Sequence, residues 1–144
     1  MAEDKHEAAV DAWIALARAQ RVAMARVEAR LKEAGLPSLS WYDALWELEK
    51  AGEAGLRPYA LEEALLFEQY NLSRLAERMC KAGLIERRAC PEDRRGQILH
   101  ISAEGRALRQ RMWAVYEQAI EEAVGCRLTA EEAETLSGLL KKLT

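Results

Sequence analysis

Residues 68–101 read EQYNLSRLAERMCKAGLIERRACPEDRRGQILHI, and their punctuation divides them into three pieces. Leu72, Leu75, Ala76 and Met79 recur at three- and four-residue steps, which predicts a helix over 68–82 with those residues facing inward. Gly83 suits the position just past its end, and Leu84 is the apolar residue that packs back across such a cap. The opposite face carries Gln69, Tyr70, Ser73, Arg74, Glu77, Arg78 and Lys81. Residues 85–89 and 97–101 then suit short strands. The turn from Cys90 through Pro91, Glu92, Asp93, Arg94 and Arg95 to Gly96 joins them into a β-hairpin with a basic tip.

Upstream, Val10, Ala17, Met24 and Leu31 repeat every seven residues, with Trp13, Gln20 and Val27 on the intervening seam. This predicts a long amphipathic helix ended by Gly35, Leu36 and Pro37. Ser40 is the expected N-cap of a second helix running to Ala51 and Gly52, with Asp43 in the capping-box position. Pro58 suits the first turn of a third helix through Leu65, and Leu65, Leu66 and Phe67 form a tight apolar junction. Downstream, Ser102 caps a long helix through Val124 with Leu108, Met112, Val115, Ala119 and Ala123 on one stripe. Thr129 and Glu132 open a last helix carrying Leu136, Leu139, Leu140 and Leu143.

Composition agrees with a helical, globular chain. Among 144 residues, 50% are apolar, 31% are charged and Phe67 is the only Phe. No apolar run approaches the roughly 18 to 20 residues of a membrane span, and the acidic N-terminus does not suit a signal peptide, so a cytoplasmic protein without membrane contact is expected. Cys80, Cys90 and Cys126 lack zinc-ligand spacing, and His6 and His100 stand far apart, so neither a metal nor another cofactor is expected. No nucleophile–base set or phosphate-cradling loop can be assembled, so there are no candidate catalytic residues and an enzyme is rejected. The net charge of −3 hides an asymmetry. Residues 68–111 hold ten Lys/Arg against six acids, a local +4 that leaves −7 for the remainder. Clustered Arg on an acidic background fits a phosphate-binding face, although a solvated face with its own ion pairs has the same composition.

Two short helices joined by a tight turn, with Arg on the second and a basic hairpin directly after it, fit a winged helix-turn-helix. The fold class expected is mainly α with one small β-hairpin, flanked by N- and C-terminal helices whose apolar stripes need cover from the chain's own core or from a second copy. Gln69, Tyr70, Ser73 and Arg74 carry the groups that bond base edges, Arg78 and Lys81 suit phosphates, and Arg94 and Arg95 at the wing tip suit the narrow minor groove.

On these residues the chain resembles the MarR (multiple antibiotic resistance regulator) family. The resemblance rests on Asn71-Leu72-Ser73-Arg74-Leu75, on Lys81-Ala82-Gly83-Leu84-Ile85-Glu86-Arg87, and most specifically on Asp93-Arg94-Arg95-Gly96 followed by Ile98-Leu99-His100-Ile101-Ser102 and Gly105. It implies a single domain over 1–144, with dimerisation helices at 8–34 and 103–144 and a DNA-binding lobe at 38–101. It further implies a homodimeric regulator of transcription, most often a repressor in this family, on a near-palindromic double-stranded operator. Arg95 would enter the minor groove, braced by Asp93, whose carboxylate can orient the guanidinium fork. Many members hold a small-molecule effector in a cleft between the dimer helices and the DNA-binding lobe. Trp13, Trp41, Tyr42 and Trp46 are the candidate lining here, though such aromatics equally suit a core. Two other readings stay open at this point: a winged-helix protein-interaction module without DNA binding, and a thiol-based redox sensor using Cys80 and Cys90.

Overall fold

A computed structural model of the chain describes every residue except Tyr70, Arg94 and Arg95. Ala2–Glu33 forms α1, six residues longer at its start than the 8–34 segment read from the seam. Only its last turns enter the core. Val27 and Leu31 are buried, while Val10, Trp13, Ile14, Leu16 and Val22 on the same helix stay exposed.

Helix α2 spans Leu39–Ala51, with Ser38 rather than Ser40 at its N-cap position and no cap bond from that side chain. Leu39 is sealed in the core, so the helix has to start there, which places Ser40 inside its first turn. The first backbone donor is met from another helix, Leu39 N–H donating to the Glu28 carboxylate at 2.8 Å. Asp43 makes no capping box, because its carboxylate turns inward to backbone donors beyond the next helix. A 3₁₀ turn at Gly52–Ala54 leads to Leu56, which bridges Leu99 as a one-residue third strand. Helix α3, Pro58–Ala64, begins at its proline as expected.

Helix α4 is Leu72–Lys81, shorter than the predicted 68–82. The Asn71 side chain accepts from Arg74 N–H at 3.0 Å and sets the start. The apolar stripe has no member before Leu72, so a helical turn at 68–71 would bury nothing. Gly83, at φ +77°, ends it as expected: Gly83 N–H donates to Cys80 C=O and Leu84 N–H to Met79 C=O, both at 3.0 Å, and Leu84 is buried.

Strands β1, Ile85–Ala89, and β2, Gln97–Ile101, pair antiparallel in the register Ile85↔Ile101, Arg87↔Leu99 and Ala89↔Gln97. Ser102 then serves two elements. Its hydroxyl accepts from Gly105 N–H at 3.0 Å and donates to Gly83 C=O at 2.6 Å, tying the end of α4 to the start of α5, Ala103–Ile120. A Cβ on Gly105 would collide with the Leu84 carbonyl, so this crossing admits only glycine.

The helical path continues past α5 through a π-turn at Glu121–Gly125. Helix α6, Ala130–Lys141, opens with the predicted capping box: Glu132 N–H donates to Thr129 Oγ1 at 3.1 Å, and Thr129 N–H to Glu132 Oε1 at 2.9 Å. The core itself lies where α1, α2, α4, β2 and α5 meet, around Leu31, Leu45, Leu48, Met79, Leu99 and Met112. Among the described residues no helix is long and apolar enough to cross a membrane.

Candidate nucleic-acid interface

Helix α4 is divided by its own packing. Leu72, Leu75, Ala76 and Met79 are buried, which leaves Ser73, Arg74, Glu77, Arg78 and Lys81 on the exposed face. Lys81 pairs with Glu77 at 3.4 Å, an exposed i,i+4 contact that a phosphate could displace at little cost. Ser73 and Arg74 occupy the N-terminal turn, the part of a recognition helix that reaches base edges. Gln69, read as part of this helix, is half-buried in the segment before it. It lines a shallow depression with Tyr59, Glu62, Glu63 and Glu68, so Glu68 does not begin the helix either.

The hairpin stands directly after α4. Cys90 N–H donates to Gly96 C=O at 2.9 Å and Gly96 N–H to Asp93 C=O at 3.0 Å, which closes the turn and leaves Asp93 at its exposed tip. Arg94 and Arg95, like Tyr70, lie outside the described residues. Arg57, which was not singled out from sequence, reaches the hairpin root and donates to Cys90 Sγ at 3.1 Å. Exposed Arg87 and Arg88 add to the basic character of β1, with Arg88 held by Glu86 at 3.1 Å.

Of the four aromatics grouped from sequence, the fold brings two together at one cleft. Tyr42 and Trp46 line an opening of about 380 Å³ with Asp43, Lys50, Phe67 and Tyr116. Trp41 packs against the core beside it, and Trp13 is 71% exposed on α1, so neither lines this cleft. Residue type could not assign Trp13, because its exposure depends on which length of α1 the core covers. Behind the cleft Tyr42 meets Trp113 and Tyr116 of α5, at ring-centroid separations of 6.0 and 5.0 Å. Burial pushes both tyrosine hydroxyls up from their ordinary pKa, and the Arg109 hydrogen bond partly offsets this at Tyr42. Arg109 also lies over the Trp46 ring, 5.0 Å from its centroid, and pairs with Glu49 at 2.7 Å. Trp113 and Tyr116 were missed although their three-residue spacing places them on one helix face.

The three thiols are free: Cys90 is buried, Cys80 half-buried and Cys126 exposed. Among the described residues no group of three or more His, Cys, Asp or Glu could hold a metal ion.

Comparison with known proteins places this geometry. The profile of the MarR family matches residues 34–96. The multiple antibiotic resistance protein MarR of Escherichia coli K12 is 30% identical over 90 residues, 62% of either chain, so the match spans less than two thirds of that relative's length. The transcriptional regulator HosA of Escherichia coli O111:H- is 30% identical over 93 residues, covering 65% of this chain and 68% of HosA. Among solved structures, Sco3205, a MarR family transcriptional regulator from Streptomyces coelicolor in complex with DNA, superposes with a TM-score of 0.80. It is 25% identical, over 92% of this chain and 86% of its own.

Proposed function

The chain belongs to the MarR family, and from that premise we propose that it is a homodimeric, sequence-specific DNA-binding regulator of transcription, acting as a repressor. One observation carries the reading: α4 turns Ser73, Arg74, Arg78 and Lys81 outward and is followed directly by a hairpin rooted in the core whose Asp93 end is exposed. In this reading Ser73 and Arg74 read bases in the major groove, with Gln69 and Tyr70 at the helix entry, while Arg78 and Lys81 bind phosphate. Arg94 and Arg95 bind in the minor groove, with Asp93 bracing Arg95. Residues 38–101 form the DNA-binding lobe, and 8–34 with 103–144 form the dimer frame. Exposed Val10, Trp13 and Ile14 on α1, together with Leu136, Leu139 and Leu143, are the apolar surface a second copy would cover. The cleft at Tyr42 and Trp46 is the place for a small-molecule effector. The DNA complex of Sco3205 supports duplex DNA as the partner. The relatives' description as regulators supports a protein that performs no catalysis.

The test is selection of bound duplexes from a random pool, sequenced at two salt concentrations. An enriched inverted repeat with half-sites about one helical turn apart is the expected outcome, with retention falling steeply as salt rises. A pool left unenriched, with weak salt-sensitive retention only, overturns the reading and favours the protein-interaction module.

A further inference from the structure

Asp43 is 6% exposed, and the reading of α4 as a recognition helix gives it no part. Its two carboxylate oxygens each take one backbone donor, Leu66 N–H at 3.0 Å and Phe67 N–H at 2.9 Å. Those amides lie in the bend between α3 and α4, outside any helix or strand, so no ladder satisfies them. Leu65 and Phe67 rest their side chains against the core while the Leu66 side chain is 71% exposed, so the carboxylate is what meets the two backbone donors of the bend. Residues 68–71 alone then separate the bend from Leu72, the first residue of α4. The neighbouring residue on α2, Tyr42, packs on Trp113 and Tyr116 of α5.

Resting on the function proposed above, we infer that Asp43 is a positioning residue for DNA recognition. It fixes the N-terminal end of α4, where side chains meet base edges, to α2 and through Tyr42 to α5. The other end of α4 is already held by the Ser102 hydroxyl on Gly83 C=O at 2.6 Å. A helix clamped at both ends presents Ser73 and Arg74 in one orientation, which is what separates reading a sequence from merely adhering to phosphate.

The chemistry requires a carboxylate. Two adjacent N–H donors need two acceptors, and a buried carboxylate costs heavily unless so bonded. Asparagine offers one acceptor and sets its NH₂ against the second donor, leaving a buried N–H unmet.

The test is Asp43→Asn in the full-length dimer. Its probes are a duplex selected from a random pool by the wild-type chain and a shuffled duplex of the same composition. Helix content and dimerisation stay intact, amide exchange at Leu66 and Phe67 accelerates, and affinity for the selected duplex falls about tenfold while that for the shuffled duplex holds. A folded dimer with an unchanged ratio of the two affinities overturns the inference. Amide exchange on the wild-type chain covers the case of a variant that does not fold: Leu66 and Phe67 should be protected like the core strands, and free exchange there overturns it equally. A wild-type chain that selects no duplex sinks the DNA-binding reading instead, and the exchange result still decides whether Asp43 holds the bend.

Discussion

Leu39, Leu45, Leu48, Leu61 and Leu99, all between α2 and β2, are essentially sealed from solvent, whereas α6 contributes no buried residue and Leu136, Leu139 and Leu143 remain exposed. Both regions are rich in leucine, and both carry well-formed caps. They differ in what stands opposite each apolar stripe. In the lobe, a tight turn, a bridge and a hairpin bring α2, α3, α4 and β2 onto one another, so every stripe finds a partner within the chain. The N-terminal half of α1 and all of α6 project from that core with apolar residues uncovered. A cap and a period make a helix, but only a facing surface makes it a core element. Here the lobe is closed within one chain, and in the function proposed above the terminal helices are half of an interface.

Substitutions on either side of this divide should behave differently. Leu45→Ala, within the closed lobe, should lower the unfolding free energy by about 2 to 5 kcal/mol. Denaturation followed at two protein concentrations should give the same loss at both. Leu139→Asp should leave a single chain almost unaffected while weakening association by about 1.5 to 3 kcal/mol per chain. Sedimentation equilibrium should show that shift, and an unchanged association constant would remove α6 from the interface.

Within the lobe, Arg74→Ala should cost about 1 to 3 kcal/mol of operator affinity and relax specificity at one base pair per half-site. Lys81→Ala should weaken all duplexes alike and reduce the salt slope by about 1. Competition binding against single-base operator variants distinguishes the two, and uniform weakening by Arg74→Ala would reduce it to a phosphate contact.

The smallest expected effect concerns acid. The Thr129 hydrogen bonds hold the Glu132 carboxyl below its ordinary pKa, the backbone N–H contributing most. A carboxyl depressed in the folded state stabilises above its unfolded value and loses that contribution as pH falls through its folded one. The α6 start should therefore fray on the acid side, with Glu132→Gln removing the pH dependence. Backbone amide shifts of residues 130–132, followed from neutral to acid pH, provide the check.

The hairpin was legible almost to the residue. Two short segments, Ile85 to Ala89 and Gln97 to Ile101, separated by a turn rich in breakers from Pro91 to Gly96, suit a hairpin on local grounds alone. The Thr129 box and the Ser102 cap were equally local, since each partner lies three residues away. Reading failed where a distant residue decides. The start of α4 has one local mark, the Asn71 cap, but the bend before it is held from 23 and 24 residues away by Asp43. The same limit explains the cleft. Tyr42 and Trp46 were recognisable as aromatics on one short helix, but their meeting with Tyr116 depends on how α5 crosses α2, which no spacing encodes. On α4 the outward placement of Ser73, Arg74, Arg78 and Lys81 could be read directly, and the position of Gln69 before the helix could not.

The most direct measurement is the stoichiometry of the chain on its own selected duplex, by sedimentation with labelled DNA. Two chains per inverted repeat, assembled from a dimer already present in free protein, is the result that a closed lobe on an open helical frame requires. A single chain bound at full affinity, with a monomer in solution, would contradict it.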